Sequence, residues 1–208
     1  MSSIVGMCSF HLKGGVSVPD FLIAHEKYNR EFVSKQKGYI AHMLLVDGNK
    51  WADLVTWESM EDTQSTFEAT QESIETAEIM SLIDQIGTDD DIPLYSLERT
   101  FSDKGHTMSP GAIWFISYKL VEGASVPDFV IAAENCNNEV ISKKKGIISW
   151  DVLIDGDTWV DLVAWETMED AKNEESDDGI PDPVAQKFYS FIDFSSLAHQ
   201  VYSVEKIY

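Results

Sequence analysis

The stretch Trp51-Ala52-Asp53-Leu54-Val55-Thr56-Trp57-Glu58-Ser59-Met60-Glu61-Asp62 returns 108 positions later as Trp159-Val160-Asp161-Leu162-Val163-Ala164-Trp165-Glu166-Thr167-Met168-Glu169-Asp170. Working outward, Ser17-Val18-Pro19-Asp20-Phe21 returns as Ser125-Val126-Pro127-Asp128-Phe129, and between Phe10 and Asp62 there are 29 identities in 53 ungapped positions. Near the ends the offset falls to 107, with Tyr95-Ser96-Leu97-Glu98-Arg99 answering Tyr202-Ser203-Val204-Glu205-Lys206. So long a period exceeds any solenoid repeat and fits one small domain copied once. The first repeat is read as residues 1–102 and the second as residues 112–208. The linker between them, residues 103–111, lies in the Ser-, Asp-, Gly- and Pro-rich join from Ser102 to Gly111.

Each copy reads as the same series of elements. Ile4 to Leu12 and Ala112 to Leu120 are apolar and β-prone, so each copy opens on a strand. Ser17 offers a hydroxyl cap, Pro19 suits a first helical turn and Asp20 completes a capping box, so a helix follows. Its apolar spacing runs Phe21, Ala24, Tyr28, Phe32, and Gly38 after Lys35 and Lys37 reads as its left-handed stop with cations at the negative end. Tyr39 to Val46 and Trp51 to Glu58 flank Asp47-Gly48-Asn49-Lys50 and predict a hairpin. A second helix is expected from Met60-Glu61-Asp62 through Phe67 and Ile74, with a further turn at Ile79 to Ile83, and Leu94 to Phe101 closes the copy as a strand.

The order strand, helix, strand, strand, helix, strand is the ferredoxin-like βαββαβ arrangement, an α+β class with helices on one face of an antiparallel sheet. In the third strand Trp51, Asp53, Val55 and Trp57 share one face, and Ala52, Leu54, Thr56 and Glu58 share the other. Both sets are largely apolar, so the second face needs a cover. The other copy is the expected one, giving a pseudo-dimeric α+β barrel within one chain and no obligatory second subunit.

Composition limits the partners. The 208 residues carry a net charge of −21 and a sequence pI near 4.3, which disfavours phosphate backbones and anionic lipid surfaces, so neither nucleic acid nor membrane is expected. Ten Phe, 7 Tyr and 6 Trp supply a core that disorder lacks. Cys8 and Cys136 match no metal-ligand or redox spacing, no leader or spanning segment is read, and a cytoplasmic protein with reduced thiols is expected.

The Gly-ended first helix, the Asp-Gly hairpin and the run Trp-x-Asp-Leu-Val-x-Trp-Glu-x-Met-Glu-Asp together resemble the dimeric α+β barrel superfamily, in particular its antibiotic biosynthesis monooxygenase-like branch. The resemblance covers nearly the whole chain, in two copies, where members usually pair two chains. It implies a fold more than a reaction, because the superfamily holds cofactor-free oxygenases, haem-degrading enzymes, isomerases and proteins without known activity. Trp57 and Trp165 match the place where several members carry a pocket tryptophan. The ligating histidine of haem-degrading relatives has no counterpart, since no histidine occurs between His42 and His106 or in the second copy before His199.

Candidate site residues come from the repeated run and from differences between the copies. Asp53 and Asp161, each between tryptophans, are carboxylates that desolvation would raise toward base catalysis; the other reading is a structural hydrogen-bond acceptor. Trp51, Trp57, Trp159, Asp161 and Trp165 are the candidate ligand-binding set, or else core. His25 and Tyr28 stand where the second copy has Ala133 and Cys136, and His42 where it has Trp150. A pocket in the first copy would therefore use His25, Tyr28, His42 and Asp53 as catalytic groups, with Trp150 filling the second. The alternative is that His25 and His42 are partly exposed surface residues.

No metal is indicated, as the histidines show no i, i+4 pairing with acids or cysteines, and no cofactor is called for. Lys143-Lys144-Lys145 is read as serving the carboxyl end of a helix, and Asp89-Asp90-Asp91 with Glu174, Glu175, Asp177 and Asp178 as solvated loop. Two functions fit. One is a cofactor-independent monooxygenase-like enzyme acting on a small hydrophobic, aromatic or polyketide-like molecule; the other is a non-catalytic ligand-binding or structural module.

Overall fold

The computed structural model describes residues 2–85, 92–102, 109–175 and 182–208. Residues 103–108 of the expected linker, with His106, and the acidic positions Asp89, Asp90, Asp91, Asp177 and Asp178, lie outside the described residues. Contacts divide the chain into two units, Met1–Ser96 with Val204–Tyr208, and Leu97–Ser203.

The first unit runs β1 (Ile4–Leu12), α1 (Val18–Glu31), β2 (Tyr39–Asp47), β3 (Lys50–Trp57), α2 (Met60–Thr70), α3 (Ile74–Leu82), β4 (Ile83–Gln85) and the start of β5 (Leu94–Ser102). Strand β3 pairs antiparallel with β2 on one side and β1 on the other, setting Cys8 opposite Asp53 and Gly6 opposite Val55. The outer side of β1 takes β5 at Ile4 to Gly6 and β4 at Phe10 to Leu12. The second unit runs β6 (Ala112–Leu120), α4 (Val126–Glu139), β7 (Ile147–Asp155), β8 (Thr158–Trp165), α5 (Met168–Glu175), α6 (Pro183–Tyr189) and most of β9 (Ile192–Ile207). There β8 pairs with β6 and β7, and β9 covers the outer side of β6 along both segments, with an irregularity between Ser117 and Lys119.

Local chemistry explains these elements. Ser17 caps α1, its Oγ accepting from Asp20 N–H at 3.2 Å and donating to Asp20 Oδ2 at 2.6 Å. Gly48 takes a φ of +59° at the first position of the two-residue turn, which suits a hairpin whose flanking strands twist right-handedly.

Several details differ from expectation. The buried stripe of α1 is Phe21, His25, Asn29, at strict i, i+4 spacing, and the expected line through Ala24 and Tyr28 packs beside it, partly buried against the core. The second helix breaks, because Ser73 caps a new one through Thr76 N–H at 3.0 Å. The further turn expected at Ile79 to Ile83 is helical through Leu82, Ile83 to Gln85 is a strand, and Glu174 and Glu175 end α5, Glu174 pairing with Lys144 at 2.7 Å.

Gly38 is not the stop of α1, which ends at Glu31 and is followed by a 3₁₀ turn at Val33–Lys35. Its role lies in the run that opens α2. Ser59 Oγ donates to Asp62 Oδ2 at 2.6 Å, Lys37 Nζ reaches Asp62 Oδ1 at 2.8 Å, and Glu58 N–H donates to Gly38 C=O at 2.7 Å. The second unit repeats this with Thr167 to Asp170 at 2.6 Å, Lys145 to Asp170 at 3.0 Å and Glu166 to Gly146 at 2.7 Å. The repeated Met-Glu-Asp is therefore a helix cap locked onto a Lys-Gly turn; Lys37 and Lys145 serve acids across that turn, while Lys35 and Lys143 pair with Glu31 and Glu139 at the ends of α1 and α4.

Gly38 has a φ of +75°, and a β-carbon there would meet the Asp62 side chain at 2.5 Å. Gly38→Ala is expected to lower the unfolding free energy by about 1–3 kcal/mol in urea titrations. Gly48→Ala, with nothing within 4 Å of the added carbon, should lose less. Equal losses would refute the crowding at Asp62.

Candidate functional site

Asp53 in β3 faces α1, and its Oδ1 receives two imidazoles. His25 Nε2, from α1, lies at 2.7 Å and His42 Nε2, from β2, at 2.8 Å. Both histidines are 0% exposed and the Asp53 side chain is 16% exposed, which replaces the surface reading of the histidines. The far ring nitrogens are also held: His25 Nδ1 by Tyr208 OH at 2.6 Å and His42 Nδ1 by Asn29 Oδ1 at 2.9 Å. Tyr208 is fixed in turn by its own N–H, which donates to His42 C=O at 3.0 Å.

Burial alone would raise the Asp53 carboxyl, but the charges and hydrogen bonds of His25 and His42 override it and hold it below the usual carboxylate range. This reverses the expected sign for Asp53. Tyr28, next to the cluster, is pushed above the usual phenol range by burial and then by Asp53, and is a neutral proton donor.

A cavity of about 440 Å³ opens on this cluster. Tyr28, His42 and Asp53 line it on the side of this cluster, Thr66, Glu68, Gln71 and Thr76 are polar groups elsewhere in its lining, and Val55, Trp57 and Leu94 are among its apolar residues. Gly6 contributes to the space by having no side chain. Of the expected ligand-binding residues only Trp57 lines the cavity; Trp51 packs edge-on to Phe21 at 5.1 Å between centroids.

The second unit keeps the aspartate and changes its surroundings. Asp161 Oδ1 accepts from Tyr118 OH and Trp150 Nε1, each at 2.9 Å. Burial raises the carboxyl to about 7, with the indole and phenol donors countering part of the rise. Trp114 stands at the position of Gly6, and its ring lies 4.8 Å from that of Trp165. Trp159 sits 4.8 Å from Phe129, and Trp150 packs on Phe101 and Phe188 at 5.2 and 5.3 Å. Trp159, Asp161 and Trp165 thus lie in packed core.

The cluster joins α1, β2, β3 and the tail of β9, so no local spacing announces it. Asn29 and Tyr208 went unread for that reason, although His25 and Asn29 on one stripe with Phe21 are a usable sign. The ligand atoms of His25, His42 and Asp53 lie within 4.8 Å of one another, a grouping able to hold a metal ion.

No protein-family model and no curated protein matches the chain. Solved structures match it in fold. An anthrone oxidase-like protein superposes with a TM-score of 0.62 at 11% identity, over 100% of this chain and 93% of its own. A mutant chlorite dismutase from Candidatus Nitrospira defluvii gives 0.62 at 8% identity, over 99% and 93%. A monooxygenase-like protein from Listeria innocua gives 0.54 at 9%, over 99% and 95%. The likeness is one of a mixed α+β fold over nearly the whole of each chain. At such identities the likeness is one of fold, and the chemistry rests on the residues above. Among the described residues no helix is long and apolar enough to cross a membrane.

The raised Asp161 carboxyl has a signed consequence. Its folded value lies above the unfolded one, so the folded state binds more protons between about pH 4 and 7, and stability falls as pH rises through that window. Replacing the group removes the slope. Asp161→Asn should gain stability relative to wild type by roughly 1–4 kcal/mol between pH 4 and pH 8 in urea unfolding; a difference that does not vary with pH would show that the carboxyl is not shifted.

Proposed function

We propose that the first unit is an enzyme site that binds a small aromatic or polyketide-like molecule and oxygenates it without an organic cofactor. The observation that carries this reading is a cavity lined by Asp53, His42 and Tyr28, in which the Asp53 carboxylate also receives the buried imidazole of His25. The anthrone oxidase-like and monooxygenase-like neighbours of the same fold support the substrate class. His42, the imidazole that lines the cavity, accepts a proton from the activated carbon, and the Asp53 carboxylate beside it stabilises the imidazolium that forms. The Tyr28 phenol donates to the substrate oxygen on which negative charge develops. The substrate carbanion reacts with dioxygen, so that the product has lost two hydrogens and gained one oxygen atom, the second oxygen leaving as water.

The two units are read as copies of one ferredoxin-like repeat, since their caps, Lys-Gly turns and strand registers correspond. The chain is read as cytoplasmic, in keeping with cysteines outside any disulfide. In the second unit the aromatic rings of Trp114 and Trp150 stand where the first has Gly6 and His42, which supports reading it as the structural half.

The test uses anthrone as probe, with a chelator present. Tryptophan fluorescence should report saturable binding, and oxygen uptake should accompany conversion to the quinone. His42→Gln should lower the rate roughly 100- to 10,000-fold, and Gly6→Trp, which places in the first unit the residue the second already carries, should abolish binding. Binding without oxygen uptake would favour the non-catalytic module, and no binding would remove the pocket reading altogether.

A further inference from the structure

The donors and acceptors around Asp53 do not balance as an ordinary neutral network. Asn29 presents its carbonyl Oδ1 to His42 Nδ1, so that nitrogen carries the proton. A neutral His42 then turns the lone pair of Nε2 toward a carboxylate oxygen 2.8 Å away. Something positive must lie between them, either a second proton on the ring or a cation. His25 Nε2 faces the same oxygen at 2.7 Å.

We propose that His25 Nε2, His42 Nε2 and Asp53 Oδ1 form a binding site for one first-row divalent cation, with its remaining coordination positions open to the cavity. Two imidazoles and one carboxylate meeting beside an open space form a ligand set that suits such ions. Bonds of about 2.0–2.2 Å place neighbouring ligand atoms roughly 3.0–3.5 Å apart, so the atoms at 2.7 and 2.8 Å need spread by only tenths of an ångström. The outer contacts fit as well. A ligating histidine normally has its other nitrogen held by an oxygen group, and Tyr208 OH and Asn29 Oδ1 do this at 2.6 and 2.9 Å. Entry is through the cavity, which His42 and Asp53 line.

The second unit serves as an internal control. It keeps Asp161 but has Ala133 and Trp150 in place of His25 and His42, and a phenol and an indole N–H satisfy the carboxyl. A buried aspartate in this fold needs only two neutral donors, so two imidazoles exceed what packing asks.

Titrating chelator-treated protein with Co²⁺ tests the site by visible absorption. One Co²⁺ per chain is expected to give saturable ligand-field bands, and X-ray absorption of the loaded wild type should show two imidazoles bound. His25→Gln and His42→Gln, with folding checked by circular dichroism, should weaken binding about 100-fold or more, and Asn29→Ala about 10- to 100-fold. His11→Ala and Asp161→Asn should leave cobalt binding unchanged. No saturable bands, fewer than two imidazoles, or bands that survive in a folded double glutamine variant would overturn the site. The inference rests on ligand geometry and not on the reaction proposed above: cobalt binding without anthrone binding would leave the site standing and remove that reading, and the reverse result would do the opposite.

Discussion

A carboxylate set into the face of a sheet that packs against a helix must be compensated where it lies, since an unpaired buried charge costs about 3–5 kcal/mol. Both units carry that carboxylate at the same place in the strand, and they compensate it by different chemistry. In the second unit a phenol and an indole donate to Asp161, and the group rises to about 7. In the first, His25 and His42 bring donors that can also carry charge, and Asp53 is held below the ordinary range. Each imidazole then takes its own partner, Asn29 on α1 for His42 and Tyr208 for His25. One polar choice in β3 thus propagates to α1, β2 and the tail of β9.

The cavity follows from the same set of exchanges. The second unit has large aromatic rings, Trp114 and Trp150, where the first has Gly6 and His42. Interiors pack to the density of organic crystals, and an unfilled space loses contacts along its walls. The chain therefore carries in one half the residues that would close the space, and in the other half omits them. The opening and the ionisable groups coincide, so the exchanges that leave the space unfilled also leave His42 and Asp53 on its lining.

Much of this was legible in the repeated run, and the limits of that legibility have physical reasons. Caps, strands and hairpins rest on contacts a few residues apart, so Ser17, Asp20 and Gly48 can be read directly. The break before α3 depends on Ser73 outcompeting continuation of the helix, a close balance among weak propensities. The contrast of His42 with Trp150 correctly marks the first copy as the more polar. That contrast cannot tell a surface histidine from a buried one, because burial is decided by which helix stripe turns inward, and Tyr28 and His25 belong to adjacent stripes. The sign of the shift at Asp53 was out of reach for a related reason. Desolvation can be guessed from flanking tryptophans, whereas the opposing charges come from two other elements.

Tyr208 shows how far the candidate site depends on the whole chain. It lies 183 positions from His25, yet its hydroxyl touches the ring, and the ring of Tyr208 stands 5.0 Å from that of His42. In the second unit Phe101 holds the corresponding place, 5.2 Å from Trp150. Each unit is thus completed by the tail of a strand that begins in the other half of the sequence, β9 for the first and β5 for the second. An isolated first repeat would carry Phe101 in place of Tyr208, a ring of similar size with no oxygen, and His25 Nδ1 would lose its partner. Packing could survive that exchange, but the hydrogen bond that orients His25 toward Asp53 could not. The chemistry of the first half is therefore a property of the joined chain.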